Sequence, residues 1–138
     1  MKKSARRAIF ACAVVGFSVV APVAPAQAAE SFQVGTLVSG PDGACTKYMA
    51  ANTHVKVCFA AYGEKLYVQD RAADGRSAIG ELTFSTVGCR NKYGSGTWVR
   101  CDYNIPEGWH TTMIGSTRDF EGIINRTFDV TGEVGVVA

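Results

Sequence analysis

The chain has 138 residues and carries 14 Lys plus Arg against 12 Asp plus Glu, a formal charge of +2. Four of the cations (Lys2, Lys3, Arg6 and Arg7) precede residue 8, and every acid follows residue 29. Beyond that basic head, 10 cations face 12 acids, a balance of −2, so the footprint of a nucleic-acid binder or of a protein held on an acidic membrane is excluded.

The head has the order of a secretory leader. Its basic residues give way to an apolar run over 8–20, then to a Pro- and Ala-rich stretch ending in Ala26-Gln27-Ala28. Ala26 and Ala28 are small enough for the positions three and one before a signal-peptidase cut. The run is well short of the roughly 20 apolar residues that cross a bilayer. Arg6-Arg7 lacks the rest of a twin-arginine motif. Cys12 lies inside the apolar run, where a lipid-attachment cysteine would not. The sequence therefore predicts a cleavable signal peptide over 1–28 and one secreted domain over 29–138, extracellular and without membrane attachment after cleavage.

In chain order, short β-branched and aromatic runs broken by glycines predict strands at 32–38, 45–50, 55–60, 65–70, 79–87, 89–93, 97–103, 110–114, 126–131 and 133–137. Residues 116–125 read as one helical turn, with Ser116 as N-cap and Asp119 three residues on, weakened by Gly122. The pattern is that of an all-β antiparallel sandwich or small barrel of about 7–9 short strands.

A domain of this size has a modest core and benefits from staples. Four cysteines follow the leader: Cys45, Cys58, Cys89 and Cys101. An even number in an exported chain reads as a disulfide framework, and four cysteines allow three connectivities. Turn chemistry favours the local pairs. Opposing Cys45 to Cys58 centres a hairpin on Ala51-Asn52, and opposing Cys89 to Cys101 centres one on Ser95, within Gly94-Ser95-Gly96. Asn and Gly reach the positive φ that tight loops need. The expectation is two hairpin disulfides, Cys45–Cys58 and Cys89–Cys101. This register also opposes Lys56 to Lys47 and Arg100 to Arg90, an unfavourable arrangement that calls for a bulge or a shift. In the first hairpin, Tyr48, Val55 and Val57 share the core face, with the cysteines on the other.

Chemistry is sparse. His54 and His110 read as surface residues near turns, without the companion ligands a metal site needs. Ser77 follows Gly75-Arg76, but Ile79 replaces the second glycine of a nucleophile elbow. Carboxylates such as Glu107 and Glu121 have no distinctive spacing, and phosphate-binding loops are absent. Asp70, Asp74 and Gly75 lack the spacing of a calcium loop. They read instead as a turn, with Asp70 and Ser77 hydrogen-bonding it. No catalytic residue, metal or cofactor is implied.

Three stretches carry a resemblance: V-K-V-C-F at 55–59, G-E-K-L-Y-V-Q-D-R-A-A-D-G-R-S-A-I-G-E at 63–81, and C-R-N-K-Y-G-S-G-T-W-V-R-C-D-Y-N-I-P-E-G at 89–108. Together they resemble a group of small secreted proteins from Streptomyces and related actinobacteria, over roughly half of the chain beyond the leader. The resemblance implies an exported, disulfide-bonded β domain and carries no site residues. Some members continue with further cysteines, where this chain has Met113, Ile114 and a Gly-rich end.

For function, the sequence points to a non-catalytic binding module at the cell envelope or in the medium, taking an extracellular ligand, glycan or protein. Trp98, Trp109 and Tyr93 are the candidate ligand-stacking residues, among aromatics that include Tyr62, Tyr67 and Tyr103. Alternation places Trp98 with Arg100 and Asp102 on the more polar face of its strand. The alternative is an inhibitor of an extracellular protease, presenting the 91–96 loop braced by a disulfide. A small hydrolase using His110 is the remaining reading.

Overall fold

The computed structural model describes residues 31–138 apart from 44, 84, 86 and 121–125; the expected signal peptide over 1–28 lies outside the described residues. The described chain forms the expected all-β sandwich, from eleven strands rather than 7–9. They are β1 (Ser31–Val34), β2 (Thr36–Val38), β3 (Tyr48–Ala51), β4 (Val55–Ala60), β5 (Lys65–Asp70), β6 (Ser77–Leu82), β7 (Val87–Asn91), β8 (Trp98–Asp102), β9 (His110–Asp119), β10 (Arg126–Phe128) and β11 (Val134–Val137). One sheet has the order β1-β7-β6-β9-β10, with β11 also on β9, and the other β2-β8-β5-β4-β3.

Period-two alternation builds the core between the sheets. Val55, Val57 and Phe59 of β4 and Leu66 and Val68 of β5 point inward with no solvent exposure, against Ala78, Leu82, Met113 and Val136 from the other sheet. Tyr48 packs on the same cluster, while Cys58 lies in a second one with Ala60 and Tyr67. The expected division of faces in β3 and β4 therefore holds.

The predicted strand at 32–38 is cut in two by Gly35. β1 pairs parallel with β7, and β2 antiparallel with β8 in the opposite sheet. Between them Gly35 donates its N–H to the Arg90 carbonyl at 3.0 Å. A Cβ on Gly35 would lie 2.7 Å from Val99 Cβ, so the crossing requires the missing side chain. The predicted strand at 79–87 is likewise two strands. Ser85 makes the turn between them, its N–H donating to Leu82 O at 2.8 Å while its Oγ accepts from Val87 N at 3.1 Å.

Both cysteine pairs form as expected, but neither is a hairpin disulfide. Cys89 on β7 faces Gly80 and Gln33 in its ladder, whereas Cys101 on β8 faces Leu66 in the other sheet. The chain does reverse at 92–97, with positive φ at Gly94 and Gly96. It crosses from one sheet to the other as it reverses, so the bond staples the sandwich through its interior. In the first pair, Cys58 faces Met49 and Tyr67. Cys45 precedes β3, and the described residues around it (39–43 and 45–47) lie over the outer face of β4 and β5 as a strap that brings Asp42 Oδ2 within 3.3 Å of the Tyr67 hydroxyl. The expected like-charge clashes vanish with this register: Lys56 faces Ala51 and Gln69, and Arg100 faces Thr36 and Tyr67.

The expected helical turn at 116–125 is corrected as far as Asp119; residues 121–125 lie outside the described residues. Ser116, Thr117 and Arg118 pair with Ile79, Ala78 and Ser77, extending β9. A single turn of helix would leave these backbone groups of β6 unpaired within a buried sheet, so the ladder wins over the local cap.

Candidate functional site

Strand directions gather three connections at one end of the sandwich, the β3–β4 turn and the β5–β6 and β7–β8 loops, together with Phe120, the residue after β9. Asp70, the last residue of β5, ties two of them together. Its N–H donates to Thr97 O at 3.2 Å, and its carbonyl accepts from Gly96 N at 2.8 Å. Fully buried Asn91 braces the same loop from beneath. Its Nδ2 donates to Val68 O at 3.2 Å and Thr97 O at 2.9 Å, and its Oδ1 accepts from Tyr93 N at 3.0 Å and Thr97 Oγ1 at 3.1 Å. Every hydrogen-bonding position of that amide is used. The glycines at 94 and 96 shape a loop that is held rather than loose.

Between these loops lies a cavity of about 270 Å³, lined by Asp70, Ala72, Arg76, Ser77, Arg90, Lys92, Tyr93, Ser95 and Phe120, among others. Asp70 is its floor, with only 2 % of its surface exposed. Oδ1 accepts from Ala72 N at 3.1 Å, while buried Oδ2 has no hydrogen-bond partner among the described residues. Burial pushes the Asp70 carboxyl above its ordinary range; the Ala72 N–H pulls the other way, and nearby Asp74 adds a smaller upward push. Arg90 forms a wall, its guanidinium 3.6 Å from the Phe120 ring centroid and its Nε donating to Ser77 Oγ at 3.0 Å. Burial lowers its pKa from the ordinary value, and a guanidinium stays charged regardless. Lys92 and Tyr93 stand at the rim, both exposed. The pocket is thus lined by cationic donors, hydroxyls and an aromatic face, and its floor residue Asp70 keeps one buried acceptor in want of a donor.

A polar network lies beside it. Asp129, with φ of 49°, accepts at Oδ2 from Arg76 Nη1 at 3.0 Å and Thr117 Oγ1 at 2.9 Å. Its Oδ1 is 3.6 Å from His54 Nδ1. Ligand atoms of His54, Asp74 and Asp129 lie within 4.8 Å of one another, the spacing of a cation site. Arg76 is already there, 3.8 Å from Asp74 and stacked 4.0 Å from the Phe128 ring. The cluster is charge-compensated by protein, and its evident work is to join the β3–β4 turn to the segment after β10. His54 is thus drawn into a network the sequence did not reveal, while His110 is exposed at the start of β9.

The expected turn at Asp74-Gly75 is present, with Gly75 at φ 77° and Asp74 Oδ1 accepting from Arg76 N at 3.0 Å. Asp70 bonds this loop as expected; Ser77 instead accepts from Arg90. The candidate aromatics separate. Tyr93 borders the pocket. Trp98 is half-buried on the outer face of β8, paired with Val38 and packed against the cluster of Cys58, Ala60 and Tyr67 on which Cys45 also packs, and Lys56 Nζ lies 5.8 Å from its ring centroid. It shelters the Cys45–Cys58 bond. Trp109 is exposed at the opposite end of the sandwich, its carbonyl accepting from Ala138 N at 3.0 Å. Tyr62 is exposed in the β4–β5 turn, Tyr67 is buried, and Tyr103 packs on the core.

Sequence reasoning singled out Tyr93 but not Arg90, Lys92 or Phe120 as site residues. An Arg-Asn-Lys-Tyr run entering a Gly-Ser-Gly loop was the available signal. No family model, curated protein or solved structure matches this chain.

Proposed function

We propose that this protein is a secreted, non-catalytic binding module whose ligand site is the loop-end pocket, and that the ligand is a glycan. The observation that carries the reading is the pocket itself: a cavity with Tyr93 at its rim and Asp70, Arg76, Ser77, Arg90 and Lys92 in its lining. Exposed rings stack on sugar faces, and fixed donors and acceptors select hydroxyl patterns. The two disulfides support an oxidising compartment. Export is supported further by the leader-like head over 1–28, and origin in an actinobacterium by the resemblance of the three stretches described above. Of the other candidate aromatics, Trp98 serves the strap and Trp109 lies at the far end, so neither belongs to this site.

Affinity electrophoresis through a panel of soluble polysaccharides tests the reading. Retardation abolished by Tyr93→Ala and preserved in Trp109→Ala is expected. Retardation lost in Trp109→Ala but kept in Tyr93→Ala, or no retardation by any polysaccharide, would overturn it.

The bracing of the 92–97 loop by Asn91 favours a second reading, inhibition of an extracellular protease, because a preorganised loop binds at a lower entropic cost. Stoichiometric inhibition of a subtilisin- or trypsin-like enzyme, lost on substituting Ser95, would replace the glycan reading.

A further inference from the structure

We propose that the loop-end pocket takes a sugar bearing an acidic substituent, with a ring hydroxyl donating to Asp70 Oδ2 and the acid held by Arg90 and Lys92. This rests on the pocket being the binding site of the module, and it names the class of ligand.

The starting point is the unpartnered oxygen. A buried acceptor without a donor is rare and costly, and Asp70 is among the residues that line the cavity. Its missing partner is either a cation or a neutral donor. A ligand cation is disfavoured, because Arg76, Arg90 and Lys92 line the same cavity and Asp70 is the only acid among its described lining residues. A neutral O–H donor meets no such repulsion.

The remaining charge sets the other half of the ligand. Arg76 is committed to Asp129 and Asp74. The Nε of Arg90 is held by Ser77 and its plane by Phe120, which fixes the direction of its remaining N–H groups. Lys92 stands beside it on the rim. Two cations with a hydroxyl-seeking carboxylate between loops call for a molecule that is hydroxylated on one side and anionic on the other. Tyr93, 46 % exposed, supplies a face for the C–H surface of a ring. A cavity of about 270 Å³ lies just below the usual span of ligand pockets, about 300–1,000 Å³, and suits one ring of an oligosaccharide. A burial-raised Asp70 carboxyl is consistent with a charge left uncompensated in the free protein.

Carboxylate and sulfate share this chemistry, and calorimetry separates them. The probes are α-1,4-linked tetragalacturonate, its fully methyl-esterified neutral counterpart, and a sulfated galactan tetrasaccharide, each titrated into wild-type protein and the Asp70→Asn, Arg90→Gln and Lys92→Gln variants. Charge-assisted hydrogen bonds predict at least about tenfold tighter binding of an acidic probe than of the ester. Lys92→Gln and Arg90→Gln should narrow that ratio, and Asp70→Asn should weaken acidic and neutral probes alike. Lys92 is exposed, so its variant keeps the test valid should Arg90→Gln disturb the fold. The stronger of the two acidic probes identifies the acid. Equal affinity for the ester and both acids, still dependent on Tyr93, would overturn the acidic ligand while leaving the glycan module standing. No heat with any sugar in folded wild-type protein would overturn both.

Discussion

Cys89 and Cys101 are bonded through the middle of the sandwich, with Cα atoms 5.9 Å apart and neither residue exposed, although they belong to different sheets. Cys45 by contrast lies half-exposed on a strap outside the opposite face. Chain entropy assigns each bond on the order of 3 kcal/mol, since the loops they close are of similar length. Burial separates them. Replacing Cys89 and Cys101 by Ala should cost more than replacing Cys45 and Cys58, because it empties two fully buried positions where the other pair has only one, Cys58. Limiting reductant should open Cys45–Cys58 first. Urea unfolding of the two double variants and non-reducing peptide mapping check both; a Cys58–Cys89 peptide would falsify the pairing.

Gly80 sits where three side chains converge. A Cβ there would lie 2.7 Å from Val68 Cγ2, 3.1 Å from Val57 Cγ1 and 3.2 Å from Leu66 Cδ2. Gly80→Ala should therefore destabilise by about 1–3 kcal/mol through overpacking. Gly135→Ala, with nothing within 4 Å, should stay within about 0.5 kcal/mol of wild type. Equal midpoints for the two variants in urea would contradict this packing of β6 against β4 and β5.

Asn91 holds the 92–97 loop with four hydrogen bonds. Its replacement by Ala leaves buried backbone groups unpaired and should cost about 1–3 kcal/mol. The local consequence distinguishes this from a generic core defect. Amide exchange at Tyr93 should accelerate beyond the change in global stability, while that of Val57 should follow global stability. Uniform acceleration would mean that the loop is braced by something else.

Tyr103 provides an alkaline signature. Burial first, and nearby Glu81 second, push its phenol from 10.0 up to about 12, and its hydroxyl donates to Val87 O at 3.1 Å. The folded protein therefore holds this proton after the unfolded chain has released it. The associated stability is fully present below pH 10 and is lost as pH rises toward 12, at up to about 1.4 kcal/mol per pH unit. Tyr103→Phe should be less sensitive to pH over this window, measured by urea titration at stepped pH. An unchanged slope would contradict the burial of this phenol.

Much of the sandwich is legible in sequence, for reasons that are local. The bounds of β4 and β5 coincide with the predicted strands because alternation and a positive-φ Gly63 act within a few residues. The loop at Ser95 points to the Cys89–Cys101 pair, yet the hairpin that this loop implies is absent. Chain reversal at a loop brings two residues together whether the returning strand joins the same ladder or crosses the core. Index arithmetic does not distinguish these outcomes. The break at Gly35 was hidden because its cause is Val99, distant in sequence. So was the pocket. In sequence Asp70 and Ser77 are turn residues and Arg90 and Lys92 belong to a strand and its end, and only the meeting of two loops gives them a common cavity.

Residue-resolved NMR tests most directly whether that cavity is where a ligand binds. Wild-type protein labelled with nitrogen-15 is titrated with tetragalacturonate at low salt. Amide shifts concentrated at Ala72, Ser77, Lys92, Tyr93 and Ser95, and absent around Tyr62 and Trp109, are the expected result. Shifts centred on Tyr62 and Trp109 would place binding at the opposite end of the sandwich and contradict the account.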